Sequence, residues 1–454
     1  AKTLRYQQTR SNDRFWHGAC KVISISVNGD RVARRSRSAC SDIDVARILQ
    51  LGLVPEAQLP SGVFFVFPND PEPDRGSAMT TKTEKLVIIG NGMAPGRMLE
   101  HLLEEAPGRY QVTIFNAEPR VNYDRIMLSP VLSGEKSYEQ IVIHGDGWYE
   151  THGITLYKGH KVVAIDRIAK TVTSDHGVTE PYDKLVIATG SVPFIIPVPG
   201  KELPGVITYR DLDDVNAMLL AAQSRQKAIV IGGGLLGLEA AAGLAQRGME
   251  VTVLHVMPTL MERQLDPAAG YLLQKAVEER GIKVICKANT KAILGNGKVE
   301  GVELDDGTVI PASLVVMAAG IRPNASLARD AGLATNRGIV VDAGMRTSDG
   351  DILAVGECAE VDGMVYGLVA PLYEMARIAA SHLAGNSKSA FVHADTPTKL
   401  KVTGIDLYSL GDFADGDDRE EIVLRDATAG VYKRVVLKDN RIIGTVLYGD
   451  TADG

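Results

Sequence analysis

The sequence predicts an α/β protein with two Rossmann-like folds in tandem and a small α+β piece behind them, and three observations carry that prediction. A glycine cluster follows a buried-strand pattern at Gly90-Asn91-Gly92, and another does so at Gly232-Gly233-Gly234. Each cluster opens a helical pattern that leads into a second strand, the βαβ order of a parallel sheet. The order of the first half then returns in the second, which marks an internal duplication.

With 454 residues the chain is long enough for about three domains. Its 45% hydrophobic and 23% charged content is that of a globular protein, and its longest apolar runs, such as LVVMAAGI at 314–321, have strand length rather than membrane-span length. A net charge of −7 and 5% aromatic residues argue against a nucleic-acid binder. Cys20, Cys40, Cys286 and Cys358 form no CxxC pair, and the histidines are spread singly with no HExxH. Neither a redox-active disulfide nor a metal site is encoded, so no metal ligands are expected and hard chemistry falls to an organic cofactor.

Residues 1–78 differ in character from the rest of the chain. They combine an Arg-rich run (RVARRSRS, 31–38), an apolar run (GVFFVF, 62–67) and a Pro/Asp/Gly-rich exit (68–78), with eleven Lys/Arg against eight Asp/Glu. The apolar core of a secretory signal is missing, and interleaved acids argue against a transit peptide. Met79 precedes a polar stretch and an immediate strand. The expectation is a native start at Met79 and a poorly ordered or non-native leader over 1–78, with a small added domain as the alternative.

From Met79 the elements come in order. KLVIIG (85–90) is a buried strand, MLEHLLEEA (98–106) an amphipathic helix and QVTIFNAE (111–118) a second strand. The short strands KVVAID (161–166) and TVTSD (171–175) make a meander, and KLVIATG (184–190) closes the half. KAIVIG (227–232), a helix over 235–247 and EVTVLH (250–255) repeat the opening; 291–310 repeats the meander and LVVMAAG (314–320) the closing strand. The expected domains are 79–207 with 325–390, then 208–324, then a strand-rich α+β piece over 391–454 that stops as a chain cut mid-protein would.

The clusters carry the chemistry. A glycine after a strand permits a tight turn, and a second lets backbone N–H groups at a helix N-terminus approach a pyrophosphate. The first cluster has Gly90 and Gly92 but Pro95 at the third fingerprint position, which the first helical turn tolerates because no N–H bond is lost there. Glu118, at the end of its second strand, stands where a ribose-binding carboxylate belongs. The second cluster satisfies GxGxxG through Gly232, Gly234 and Gly237, but its second strand ends in His255. Without a carboxylate there, the choice between NADH and NADPH stays open; Arg263 is the nearest downstream base, more in keeping with a solvated surface than with a 2′-phosphate.

KLVIATGSVP (184–193) and TSDGDILAVGECA (347–359) resemble the flavoprotein reductases with two dinucleotide domains, arranged as in glutathione reductase. Within that class IGNGM (89–93), EPRVNYDRIMLS (118–129), GGGLLGLEAA (232–241), MPTLMERQLD (257–266), AGIRPN (319–324), VGECAE (355–360) and YGLVAPLYEMA (366–376) are similar to the large subunits of NAD(P)H-dependent assimilatory nitrite reductases. Residue by residue, the resemblance implies FAD contacts at Gly90, Gly92, Glu118, Arg125, Ala188, Thr189, Gly190, Gly356 and Glu357, the last standing where the class has Asp. It implies nicotinamide-dinucleotide contacts at Gly232, Gly234, Gly237, His255 and Gly320, and a place for Glu239 beside flavin or nicotinamide, a plain helix-surface role being the alternative. Pro130 replaces a lysine that pairs with the equivalent of Glu239 in many ferredoxin reductases. The stretch Leu368–Tyr373 would cover the isoalloxazine or pack in the core.

The implied activity is electron transfer from NAD(P)H through FAD, in the cytoplasm, to iron–sulfur and sirohaem centres for nitrite reduction. Those centres would lie in a downstream domain or a small subunit, because no cysteine spacing here ligates a cluster. The rivals are a self-contained ferredoxin or rubredoxin reductase and a non-catalytic flavin- or NADH-binding regulator. Nothing in the residues sets the oligomeric state, a homodimer being one option.

Overall fold

The computed structural model describes residues 20–28, 31–34, 64–68, 83–386, 388–402 and 404–454. The chain divides into two units, Ala1–Thr81 and Lys82–Gly454. In the first, strand Cys20–Asn28 pairs antiparallel with Arg31–Arg34 on one side and Phe64–Pro68 on the other. The leader expected over 1–78 otherwise lies outside the described residues.

The second unit contains the duplication as two five-stranded parallel sheets of the same order. In one, Ile352–Ala354, Lys184–Ile187, Glu84–Ile89, Tyr110–Asn116 and Thr155–Lys158 lie side by side. In the other the order is Val206–Thr208, Leu314–Met317, Lys227–Ile231, Glu250–His255 and Lys283–Cys286. Helices cover the sheets, so their central strands are buried on both faces and read as continuous apolar runs such as Leu86–Ile89 and Val251–Leu254. Strand Val206–Thr208 pairs with Leu314–Met317, so the second sheet begins two residues before the expected boundary at 208. Each half carries a three-stranded antiparallel meander, Val162–Pro181 and Thr290–Pro311, in the same place in its order. Strand Thr155–Lys158 was not expected from the sequence, since its burial pattern has neither a buried run nor clean alternation.

Two features join the halves. Ser191–Pro193 pairs antiparallel with Ile321–Pro323, tying one closing turn to the other. Helix Leu128–Ser133, on an excursion from the first half, inserts Leu132 against Gly243 of helix Leu235–Gln246 and shares its apolar cluster.

Residues 398–448 differ from the α+β expectation. They form a five-stranded antiparallel sheet, and among the described residues of this piece there is no helix. The alternation of Val431–Lys438 puts Tyr432, Arg434 and Val436 on one buried face. That face packs on helix Pro267–Glu279 of the second half, with Tyr432, Val446 and Tyr448 joining Leu273 and Val277 in one cluster. The helical surface the sheet needs is thus supplied by the preceding domain. No described helix is long and apolar enough to cross a membrane.

Candidate functional site

The two glycine turns repeat each other bond for bond. Gly90 N–H donates to Phe115 O and Gly232 N–H to Leu254 O, both at 2.8 Å. Ala188 N–H donates to Ile89 O at 2.8 Å, and Ala318 N–H to Ile231 O at 2.9 Å. Gly90 has φ of 107° and Gly232 of 127°, and a Cβ on either would collide with the carbonyl oxygen of Ala188 or Ala318. Only glycine combines that conformation with that approach.

Each turn feeds a helix with an uncapped N-terminus. Gly92 precedes helix Met93–Glu105 and Gly234 precedes Leu235–Gln246; neither start has a side-chain acceptor, and a Cβ on either glycine would meet nothing within 4 Å. Unpaired N–H groups beside open space fit the phosphates of a dinucleotide. At the third fingerprint position Gly237 lies against the Gly232 carbonyl, where a Cβ has no room. Pro95 takes that place in the first fold and is buried in the first helical turn. The tight approach there moves one residue on, to Gly96 against the Asn122 side chain, whose Nδ2 donates to Gly92 O at 3.0 Å.

Glu118 lies just beyond strand Tyr110–Asn116 and is nearly buried. Its carboxylate pairs with Arg125, accepts from Tyr123 Oη at 2.8 Å and meets Arg120 Nη1 at 3.3 Å. Arg125 also stacks over the Tyr123 ring and donates to Arg210 O. Burial pushes the Tyr123 hydroxyl well above its ordinary range, so it stays a donor. A carboxylate has about four lone-pair sites, so capacity for a sugar hydroxyl remains.

The turn Ala188-Thr189-Gly190 and the pair Gly356-Glu357 converge on the same end of the first sheet. A Cβ on Gly190 would lie 3.9 Å from Glu357 Oε2, and one on Gly356 would lie 3.3 Å from Ala94 in the first fingerprint helix. Thr189 Oγ1 donates to Asn324 O at 2.7 Å, which ties this turn to the far side of the ribbon. Glu357 accepts from Ser191 Oγ at 3.0 Å and pairs with Arg210. Arg210 escapes a reading by motif, since only its position before the helix-capping Asp211 marks it. Gly320 sits at the head of the Ile321–Pro323 strand, and Gly367 lies against Ile321, which brings the start of helix Val369–Leu383 beside the ribbon.

Glu239 is half-buried on helix Leu235–Gln246. Ser129 Oγ donates to its Oε2 at 2.6 Å, and the Tyr209 hydroxyl lies 2.9 Å from Ser129 Oγ. Burial raises the Glu239 carboxyl and the Ser129 bond works against that rise. Pro130 leaves the carboxyl facing hydroxyls instead of an ammonium group. His255 is buried, its Nδ1 3.0 Å from Gly233 N and its Nε2 3.0 Å from Glu262 Oε2. Among the described residues no group of three or more His, Cys, Asp or Glu could hold a metal ion.

Two family models match this sequence: pyridine nucleotide-disulphide oxidoreductase over residues 84–382, and rubredoxin NAD+ reductase C-terminal domain over 397–454. A nitrite reductase [NAD(P)H] of Bacillus subtilis (strain 168) is 47% identical over 371 residues, 82% of this chain and 46% of that protein. The chain thus spans about half the length of that curated relative. An NADH-rubredoxin oxidoreductase of Clostridium acetobutylicum is 30% identical over 82% of this chain and 93% of its own length. Among solved structures, a covalent putidaredoxin reductase–putidaredoxin complex aligns with a TM-score of 0.74 at 26% identity, covering 82% of this chain and 91% of that one.

Proposed function

We propose a function from one premise: the chain belongs to the pyridine nucleotide-disulphide oxidoreductase family and is an FAD-dependent NAD(P)H oxidoreductase. We infer that it is the electron-input part of an assimilatory nitrite reductase, drawing on NAD(P)H and feeding iron–sulfur and sirohaem centres carried by further sequence or by a partner. The observation that carries this reading is the Ser191–Pro193/Ile321–Pro323 ribbon, which sets the closing turns of the two dinucleotide folds next to each other. Two cofactors lying along those folds would bring their reactive rings together at that ribbon.

In this reading the N-terminus after Gly92 holds the FAD pyrophosphate and Gly90 lets the chain approach it. Glu118, oriented by Arg125, takes the adenosine ribose, while Ala188, Thr189, Gly190, Gly356 and Glu357 line the flavin side. Gly232, Gly234, Gly237 and Gly320 do the same work for NAD(P)H, with His255 at the ribose end. Bound FAD supplies the exchange between the hydride of a reduced nicotinamide and single electrons. The protein groups position and exclude water; none is required as nucleophile or general base. Glu239, held by Ser129 at the junction of the folds, keeps its proton more firmly than an exposed acid. Cys286 and Cys358 are free thiols, which suits a reducing cytoplasm.

A second reading, a self-contained reductase of a small iron–sulfur protein, is favoured by the match over 93% of the rubredoxin oxidoreductase. The purified full chain, loaded with FAD and titrated anaerobically with NADH and then NADPH, tests both. Bleaching of the flavin absorbance is expected, followed by no reoxidation on adding nitrite alone. Reoxidation by a rubredoxin at turnover rates would favour the second reading, and a flavin that neither nucleotide bleaches would overturn both.

A further inference from the structure

The second fold lacks an acid at the end of its second strand, and the structure shows what stands there instead. His255 ends strand Glu250–His255 with its ring buried under the glycine turn. The middle fingerprint residue is itself glycine: a Cβ on Gly233 would lie 2.6 Å from Leu260 Cδ2 and 2.7 Å from His255 Cγ. Gly233 N–H donates to His255 Nδ1 at 3.0 Å, which commits that nitrogen as an acceptor. The ring proton is then on Nε2, and Nε2 faces Glu262 Oε2 at 3.0 Å. A ring N–H donating to a carboxylate oxygen fixes where that carboxylate points.

The imidazole therefore divides the usual work of a strand-end carboxylate. It accepts the turn's N–H itself and presents an anion one side chain further out. Glu262 is part exposed, with 30% of its side chain accessible, and among the described residues its Oε1 accepts no hydrogen bond. It lines the cavity between this fold and the C-terminal sheet together with Arg263, Asp266, Asp412, Asp415 and Arg434. The other acids of that lining are already paired, Asp412 with Arg419 and Asp415 and Asp266 with Arg434, which leaves Glu262 as the carboxylate whose partner is an imidazole.

We propose that Glu262, positioned by His255, recognises the adenosine ribose diol of the nicotinamide dinucleotide and makes the second fold prefer NADH to NADPH. The proposal rests on the reading of the second fold as the NAD(P)H site. A free diol offers two O–H donors to the carboxylate, whereas a 2′-phosphate removes one of them and brings like charge against Glu262 itself. His255 is a positioning residue and Glu262 the specificity-determining one.

Binding of ADP-ribose and of 2′-phospho-ADP-ribose to the FAD-loaded chain, measured by calorimetry, tests this without catalysis. The unmodified protein is expected to bind ADP-ribose at least tenfold more tightly, the size of one charge-assisted hydrogen bond. In Glu262→Gln that ratio should fall roughly tenfold, at unchanged flavin content and melting temperature. In the double variant His255→Asp with Glu262→Gln the ratio should return, since a strand-end carboxylate no longer needs the relay. A ratio unchanged in Glu262→Gln, or one that favours the 2′-phosphate in the unmodified protein, would overturn the proposal while leaving the fold assignment intact. Binding of neither compound by the yellow, folded chain would overturn the fold assignment as well.

Discussion

Ser129 Oγ donates a 2.6 Å hydrogen bond to Glu239 Oε2 across the junction of the two dinucleotide folds. Burial raises the carboxyl, and this one bond pulls the other way. Ser129→Ala should therefore push the Glu239 carboxyl further up and destabilise the chain by about 1 kcal/mol, the net worth of one hydrogen bond at a half-buried site. Chemical denaturation read by fluorescence checks the magnitude.

The same carboxyl sets a pH dependence. Its folded pKa lies above the unfolded value, so the folded state holds more protons over the interval between the two. Its contribution is full below the ordinary glutamate range and is lost as pH rises through the raised value. Glu239→Gln removes that loss. The variant should gain stability relative to the parent as pH climbs above the ordinary glutamate range, and the two curves should run parallel below it. A difference that grows toward low pH would contradict the assignment.

The glycine turns give a pair of opposed outcomes. Gly90→Ala forces a Cβ into the Ala188 carbonyl, and Gly237→Ala forces one into the Gly232 carbonyl. Each is expected to cost about 1–3 kcal/mol through overpacking. Gly90→Ala should purify with little flavin, whereas Gly237→Ala should stay yellow and lose nucleotide binding. Flavin absorbance against protein concentration separates the two folds directly.

Glu357 and Arg210 form an ion pair with under a fifth of either side chain exposed. Glu357→Gln keeps the Ser191 bond but loses the charge pairing. It should lower FAD affinity about tenfold and destabilise the apo chain by about 1–3 kcal/mol. Arg210→Met should produce a similar loss of stability, since it leaves Glu357 without its cation. Flavin retention on desalting and urea midpoints report the two effects.

What was legible in the sequence was local. Gly90, Gly232 and the apolar runs before them state a strand, a turn and a helix within a dozen residues, and their repetition states the architecture. What was not legible depends on distance along the chain. Arg210 meets Glu357 across 147 positions and Ser129 meets Glu239 across 110, and no spacing rule links either pair. Pro95 illustrates a different limit. The motif locates a third glycine by count, but packing moved the close approach to Gly96, where Asn122 decides how near the helix comes. The C-terminal strands read correctly as strands, yet their buried face took its helix from residues 267–279, a partner that the strands' own pattern cannot name.

That last contact yields a prediction of its own. Tyr432 is 2% exposed and its hydroxyl donates to Asp266 Oδ2 at 2.7 Å, while Asp266 Oδ1 has no partner among the described residues. Arg434 Nη1 stands 3.7 Å from the same Oδ2, too far to replace the hydroxyl bond. Tyr432→Phe keeps the packing and removes the donor, so it should cost about 1–3 kcal/mol. Tyr432→Ala adds a cavity between the sheet and helix Pro267–Glu279 and should cost about 3–5 kcal/mol. Both lie away from the glycine turns of the first fold, so flavin content should be unchanged while the urea midpoint falls. If Tyr432→Ala denatured with the parent's midpoint, the sheet would not be held to the second fold by this contact. Loss of flavin in Tyr432→Phe would instead show that the C-terminal sheet and the first fold are energetically coupled through the domain between them.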